Sequence, residues 1–289
     1  MGEKYLILKN GDFSDFEGQS YKYGVETLNL SSLEEFHKVV KKFNRYTDYI
    51  WRGQRKDWKL SSTFDRIYKF SKEKDRKKEL DKILDSFKKR LEDLPNTHNI
   101  DFSKEYEIWA IGQHHGLPTP LLDWTKNPYM AAYFAFYKKG TNEQCNRIVY
   151  ALNRVVKRLI IKEKDAKTKV ELSKQRKIEF DFDINHFVQE HHQRLINQEG
   201  AFTKAFKGDD IKSIVQKFWD KDSKGEKNYI SDVILAEILI PDKSRNECLS
   251  FLKSKDITHG VLFPDYAGAV EICKINLGLD KFKLNSDLI

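Results

Sequence analysis

IWAIGQHHGLPTPLLDWTKNPYMAAYFAF, residues 108–136, is the densest run of shape-fixing residues in the chain. Two adjacent histidines, His114 and His115, precede Gly116, and then Pro118 and Pro120 flank Thr119. A residue before proline is pushed out of helical backbone, so this part must run extended. The spacing predicts a helix over 104–113, closed by Gly116 in the left-handed conformation that glycine tolerates best. Asn127 before Pro128 signals a cap and a first turn. The helix it opens, 128–137, is apolar nearly all round and calls for burial.

Working outward, residues 4–9 and 23–30 read as strands. Ser32 followed by Glu35 is a capping-box pattern that opens an amphipathic helix with Leu33, Phe36, Val39, Val40 and Phe43 on one face. Tyr49-Ile50-Trp51 reads as a short buried strand delivering Arg52-Gly53-Gln54 at its end. Residues 72–94 carry the clearest helical stripe, with Pro95 just beyond it. Residues 147–153 and 233–240 read as core strands, 186–197 and 244–255 as helices, and 261–263 and 270–275 as short strands. The basic stretch 154–177 has no aromatics and reads as a surface excursion, either a linker or a polyanion contact. With no internal repeat and no clear boundary, the expectation is a single α+β domain over 1–289, its mixed or antiparallel sheet core flanked by helices and its compact part at about 25–275.

Composition narrows the class. With 39% hydrophobic residues and 13% aromatics the chain can build a sizeable core. No run approaches the ~18 apolar residues of a membrane span, and the start lacks the pattern of a secretory signal, so no membrane partner is expected. Cys145, Cys248 and Cys273 are odd in number and widely spaced. They suit a reducing cytoplasm and argue against a disulfide framework or a zinc cluster, so no metal site is expected. The formal charge of +8 would help attract a polyanion, but 44 acidic residues interleave with 52 basic ones. Most of that charge is a solvated surface.

Trp51-Arg52-Gly53, Trp58-x-Leu60, the block GQHHGLPTPLLDWTKNPYMAAYFA, RLINQEGAF, ILIPDKSRN and LFPDYAG occur in that order. This order resembles the FRG domain family, over about residues 25–275, with 154–177 poorly matched. Trp51 stands where the family's name-giving Phe would be. The Arg usual after the Pro-Thr pair is Pro120 here, which removes one cation. Arg194 and Gln198 resemble a further family element, four apart on one helix face. A second resemblance is to ADP-ribosyltransferases of the Arg-Ser-Glu type. Arg52-Gly53 matches their early Arg, and Glu237-Ile238-Leu239-Ile240-Pro241 their late Glu before an apolar triplet and proline. Leu235 departs from the usual Glu or Gln two residues before that Glu, and no Ser-Thr-Ser strand occurs in mid-chain.

The second resemblance implies an ADP-ribosyltransferase-like fold and NAD as substrate, for an ADP-ribosyltransferase or NAD glycohydrolase. An arginine fork such as Arg52 can hold a dinucleotide phosphate. A carboxylate such as Glu237 can stabilise the oxocarbenium-like charge as a glycosidic bond breaks. In this reading Glu237, Arg52 and His115 are the catalytic candidates, and Arg52, Gln113, His114, Asp123, Thr125, Arg194 and Gln198 bind the nucleotide. The acceptor would be water or a macromolecule, protein or nucleic acid, and a toxin or antiphage effector is a setting compatible with that chemistry. Each residue also has a plainer role. Arg52 can pair with Asp123, which is expected to be at least half buried, Thr125 or Asn127 can cap a helix, and Pro264-Asp265 reads as a turn. The alternative function is a non-catalytic module that binds or senses a nucleotide or nucleic acid.

Overall fold

Strand β3 (Tyr49–Gln54) alternates side chains between two apolar layers, and its one glycine decides what can lie against it. A Cβ on Gly53 would sit 1.8 Å from the Ala131 carbonyl oxygen, so only glycine admits the helix α5 (Pro128–Phe136) at this distance. The computed structural model describes residues 8–44, 46, 49–70, 72–95, 97, 100–139, 146–154, 178–180, 193–205, 208–222 and 233–277. Most of the excursion at 154–177 and residues 186–192 of an expected helix lie outside these, as do residues 4–7 of an expected strand.

The remaining strands are β1 (Ser20–Lys22), β2 (Val25–Asn29), β4 (Leu121–Thr125), β5 (Asn146–Asn153), β6 (Ile178–Phe180), β7 (Gly200–Ala205) and β8 (Leu235–Pro241). They form one sheet in the order β1-β2-β8-β5-β3-β4-β7-β6. Among the described strands only β2 and β8 run parallel, so the sheet is mixed and the expected α+β class holds. The helices are α1 (Leu33–Phe43), α2 (Thr63–Ile67), α3 (Glu73–Glu92), α4 (Glu105–His114), α5, α6 (Gln193–Asn197), α7 (Ile211–Asp222), α8 (Arg245–Ser254), α9 (His259–Leu262) and α10 (Tyr266–Asn276). Among the described residues no helix is long and apolar enough to cross a membrane.

Local chemistry sets these boundaries. Ser32 caps α1 by accepting from the Glu35 backbone N–H, while Glu35 turns back to the Ser31 N–H (2.6 Å) rather than to Ser32. The five residues expected on the apolar face of α1 are its buried ones. Helix α4 ends in paired bonds from Gly116 N to Gln113 O and from Leu117 N to Gly112 O, with Gly116 at φ +90°. That is a Schellman closure, and it turns the chain towards β4. Asn127 caps α5 by accepting from Tyr129 N and Met130 N.

Three apolar layers result. One face of the sheet packs on α1, α5 and α8 through Phe36, Val40, Trp51, Ala131, Phe136 and Leu252. The other carries Ile50, Trp124, Tyr150 and Leu235 against Ile211 and Ile214 of α7. A third cluster joins α3 and α4 to Phe64, Leu121 and Phe202 at one end of the sheet.

Three expectations need correction. Residues 261–263 and 270–275 are helical, in or bordering α9 and α10, because Asp265 caps α10 by accepting from Gly268 N (2.7 Å). Short apolar runs do not separate strand from helix by periodicity, and the cap decides here. The strand expected at 23–30 begins at Val25 and is preceded by a further strand at residues 20–22, because Tyr23 (φ 50°) and Gly24 (φ 75°) close a two-residue hairpin turn. Arg52, Gly53 and Gln54 lie inside β3 rather than beyond its end.

Gly53→Ala should cost more than about 3 kcal/mol or abolish folding, read by urea unfolding, since backbone rather than a flexible side chain blocks the added methyl. A second test concerns Glu26 on β2, fully buried with neither carboxylate oxygen in a hydrogen bond among the described residues. Burial raises its pKa to about 7, which the nearby Gln19 opposes without cancelling. The folded state therefore keeps a proton that the unfolded state loses above 4.5, so stability should fall as pH rises from 4.5 through 7. Glu26→Gln should flatten that slope and add up to about 3 kcal/mol at pH 8, measured by denaturant unfolding across pH; an unchanged slope would show that Glu26 is not its source.

Candidate functional site

Strands β3 and β4 share a single register pair, Trp51 with Thr125, whereas β3 and β5 are paired along six positions. Beyond that pair the two strands part, and a cavity of about 390 Å³ opens between them. Such a volume lies within the range of small-ligand sites. Its lining brings together Arg52, Gln113, His114, Asp123, Thr125, Arg194 and Gln198, from four separate parts of the chain.

Arg52 reaches across the gap from β3. Its Nη1 donates to the Asp123 backbone carbonyl at 2.7 Å, so the contact with Asp123 is to the main chain rather than to the carboxylate. With the Gln54 amide turned so that its nitrogen donates to Trp58 O (2.9 Å), the amide oxygen accepts from Arg52 Nε at 3.2 Å. Nη2 makes no hydrogen bond among the described residues. Desolvation lowers the Arg52 pKa and the Asp123 carboxylate pulls it back up; a guanidinium stays charged regardless.

Asp123 is exposed and lines this cavity. In β4 it is the one exposed position between buried neighbours. Its Oδ1 accepts from Gln113 Nε2 at 2.5 Å, and the Gln113 Oε1 accepts in turn from the Thr119 hydroxyl. The Gln113 amide is thereby fixed at both ends, and it orients the carboxylate. Thr125 is buried in the wall and accepts from Asn127 N (3.1 Å), a structural role at the start of α5.

The opposite wall is α6 with the segment around α9. Gln198 Nε2 donates to Leu262 O (2.9 Å) and Asn197 Nδ2 to Val261 O (2.7 Å), tying the two together. Arg194 lies over the Phe263 ring at 4.3 Å from its centroid, and its Nη1 is 4.0 Å from Asp265 Oδ2. It makes no hydrogen bond among the described residues. His114 Nε2 is 3.8 Å from the same oxygen. Burial lowers the His114 pKa, Arg194 and His115 add to this, and Asp265 opposes it. The imidazole is therefore neutral at pH 7. Asp265, expected as a turn residue, caps α10 and leaves one buried oxygen without a hydrogen bond.

Two candidates fall outside the lining. His115 is exposed at the end of α4, with its ring edge-on to His114 at 4.8 Å. Glu237 is buried on β8 and holds three partners: Lys212 Nζ at 2.6 Å, the Tyr150 hydroxyl at 3.2 Å and the Thr27 hydroxyl at 3.3 Å. It shares a sheet face with Arg52, because Arg52 is in register with Tyr150 and Tyr150 with Glu237. Two strand spacings, about 10 Å, separate the two backbones.

The sequence reading missed the aromatic part of the wall, namely Trp51, Trp58, Trp124, Phe134, Tyr137, Phe202 and Phe263, together with Arg55. The Trp58-x-Leu60 motif was the one available signal. No cluster of three or more His, Cys, Asp or Glu that could hold a metal occurs among the described residues.

Residues 47–144 match the FRG domain family. The match contains β3, the α4 closure, β4 and α5, which is one wall of the cavity with Arg52, Gln113, His114 and Asp123. No curated protein and no solved structure matches the chain.

Proposed function

We propose that the cavity binds a nucleotide, with NAD the first to test, and that the nicotinamide–ribose bond is opened there. One observation supports this most. Arg52 and Arg194 face the same cavity with N–H groups not engaged by the described residues, and aromatic rings form much of the remaining wall. Buried arginines elsewhere in the fold are paired to carboxylates, as Arg76 is to Asp65. Arginines left with free donors at a cavity suit phosphate oxygens, and aromatic walls suit a planar base.

The Arg-Ser-Glu resemblance assigns Glu237 to the ribose. Its place in the row Arg52–Tyr150–Glu237 keeps it near Arg52, but Lys212, Tyr150 and Thr27 occupy its carboxylate. We assign the charge-stabilising role to Asp123, the carboxylate in the lining. The bond from C1′ of the ribose to the nicotinamide nitrogen breaks, and its electron pair leaves with the neutral nicotinamide. Water, or a hydroxyl or amine of an acceptor, then bonds to C1′ and gives its proton to solvent or to Asp123. Asp123 faces the positive charge that develops in between.

Calorimetry with NAD and an assay for released nicotinamide test these assignments. Arg52→Met should weaken NAD binding about tenfold or more, the loss of charge-assisted hydrogen bonds. Asp123→Asn should keep binding and lose at least about a hundredfold in turnover, while Glu237→Gln should stay within about threefold of the parent. The reverse result for the two carboxylates would return the chemistry to Glu237. Binding of NAD with no nicotinamide released would leave a nucleotide-sensing module, and no binding of any nucleotide would overturn the proposal.

A further inference from the structure

We propose that Trp58 is the platform on which the base of the bound nucleotide stacks, and that the site accepts any base. This rests on the nucleotide reading of the cavity. Trp58 lies in the segment between β3 and α2 and is 45% exposed, whereas Trp51, Trp109 and Trp124 are 2–4% exposed. An indole left half in water forgoes a large apolar burial, which a ligand ring laid against it would recover.

The segment holds the ring in place. Trp58 N donates to Lys56 O (2.8 Å), and Trp58 O accepts from the Gln54 amide at 2.9 Å. That amide also receives Arg52 Nε, so the platform and the phosphate-facing arginine share one support. The Arg55 guanidinium lies 5.5 Å from the indole centroid. A cation there adds to the attraction for a π face and for phosphate.

Tolerance of base identity rests on how the side-chain amides of the lining are used. Stacking reads the face of a base, which every base has, and discrimination needs donors and acceptors aimed at its edge. The amides in the lining are spent. Gln113 is fixed by Thr119 and Asp123, Gln198 donates to Leu262 O, and Gln54 serves Arg52 and Trp58.

Calorimetry on the full chain with ADP and with inorganic pyrophosphate separates the platform from the phosphate contacts. Trp58→Leu should weaken ADP about tenfold and leave pyrophosphate within about twofold. Trp58→Phe should recover most of the loss, and ADP, GDP, UDP and CDP should bind the parent within about tenfold of one another. If ADP binds the parent and Trp58→Leu leaves it unchanged, the platform is overturned while the nucleotide reading stands. An equal loss for ADP and pyrophosphate would mean a structural role for the ring and would also overturn it, as would a preference for one base beyond about a hundredfold. If neither ligand binds the parent, the nucleotide reading fails and takes the platform with it.

Discussion

The Ala131 carbonyl occupies the space where residue 53 would carry a side chain, and much of the fold depends on that contact. Helix α5 is apolar on all sides, and it can be buried only if its polar ends find partners. Asn127 satisfies the first turn. Three arginine bonds satisfy the last: Arg147 Nη1 to Ala135 O, Arg245 Nε to Phe136 O and Arg245 Nη2 to Tyr137 O. Seated in this way against β3, α5 follows directly on from β4. The two strands then meet at one pair of residues and separate, and the cavity is the space that separation leaves.

Charge is used in two ways in this molecule. Arg76 with Asp65, and Arg147 with Asp242, are buried pairs whose members hold further hydrogen bonds. Such pairs fix geometry more than they stabilise, since each charge has lost its water. In the cavity the balance differs, with Arg52, Arg55 and Arg194 facing Asp123 alone among carboxylates of the described lining residues. The neutral His114 adds no further positive charge at pH 7. This imbalance, rather than the net charge of the whole chain, favours an anion at this position.

Much of this was legible in the sequence where residue types act locally. Gly116, Asn127 and Ser32 each announce a helix end, and each performs that role through its own bonds. Strands β5 and β8 were legible because they are apolar and buried on both faces. The hairpin at Tyr23 and Gly24 was not, because Tyr is an uncommon residue at positive φ. The site was legible on the β4 side, where the motif is continuous. On the far side Phe263 carries no chemical signature, and only the tertiary fold brings it into the same lining as Arg52. Glu237 shows how far a local pattern reaches: Glu before an apolar triplet and proline is read from the sequence, and its hydrogen-bond partners Lys212 and Tyr150 come from other elements that only the fold brings together.

The place of β8 bears on how the chain is made. This strand, the last of the described strands in sequence, sits between β2 and β5, and among them it joins the edge hairpin to the rest of the sheet. As the polypeptide leaves the ribosome, β2 and the outer edge of β5 are complete long before residue 235 emerges. Until then neither has β8 to pair with, and an unpaired row of backbone groups is the kind of edge that recruits foreign strands. Insertion of an almost wholly buried strand closes both edges at once, so the sheet becomes continuous only once residues 235–241 are available to pair.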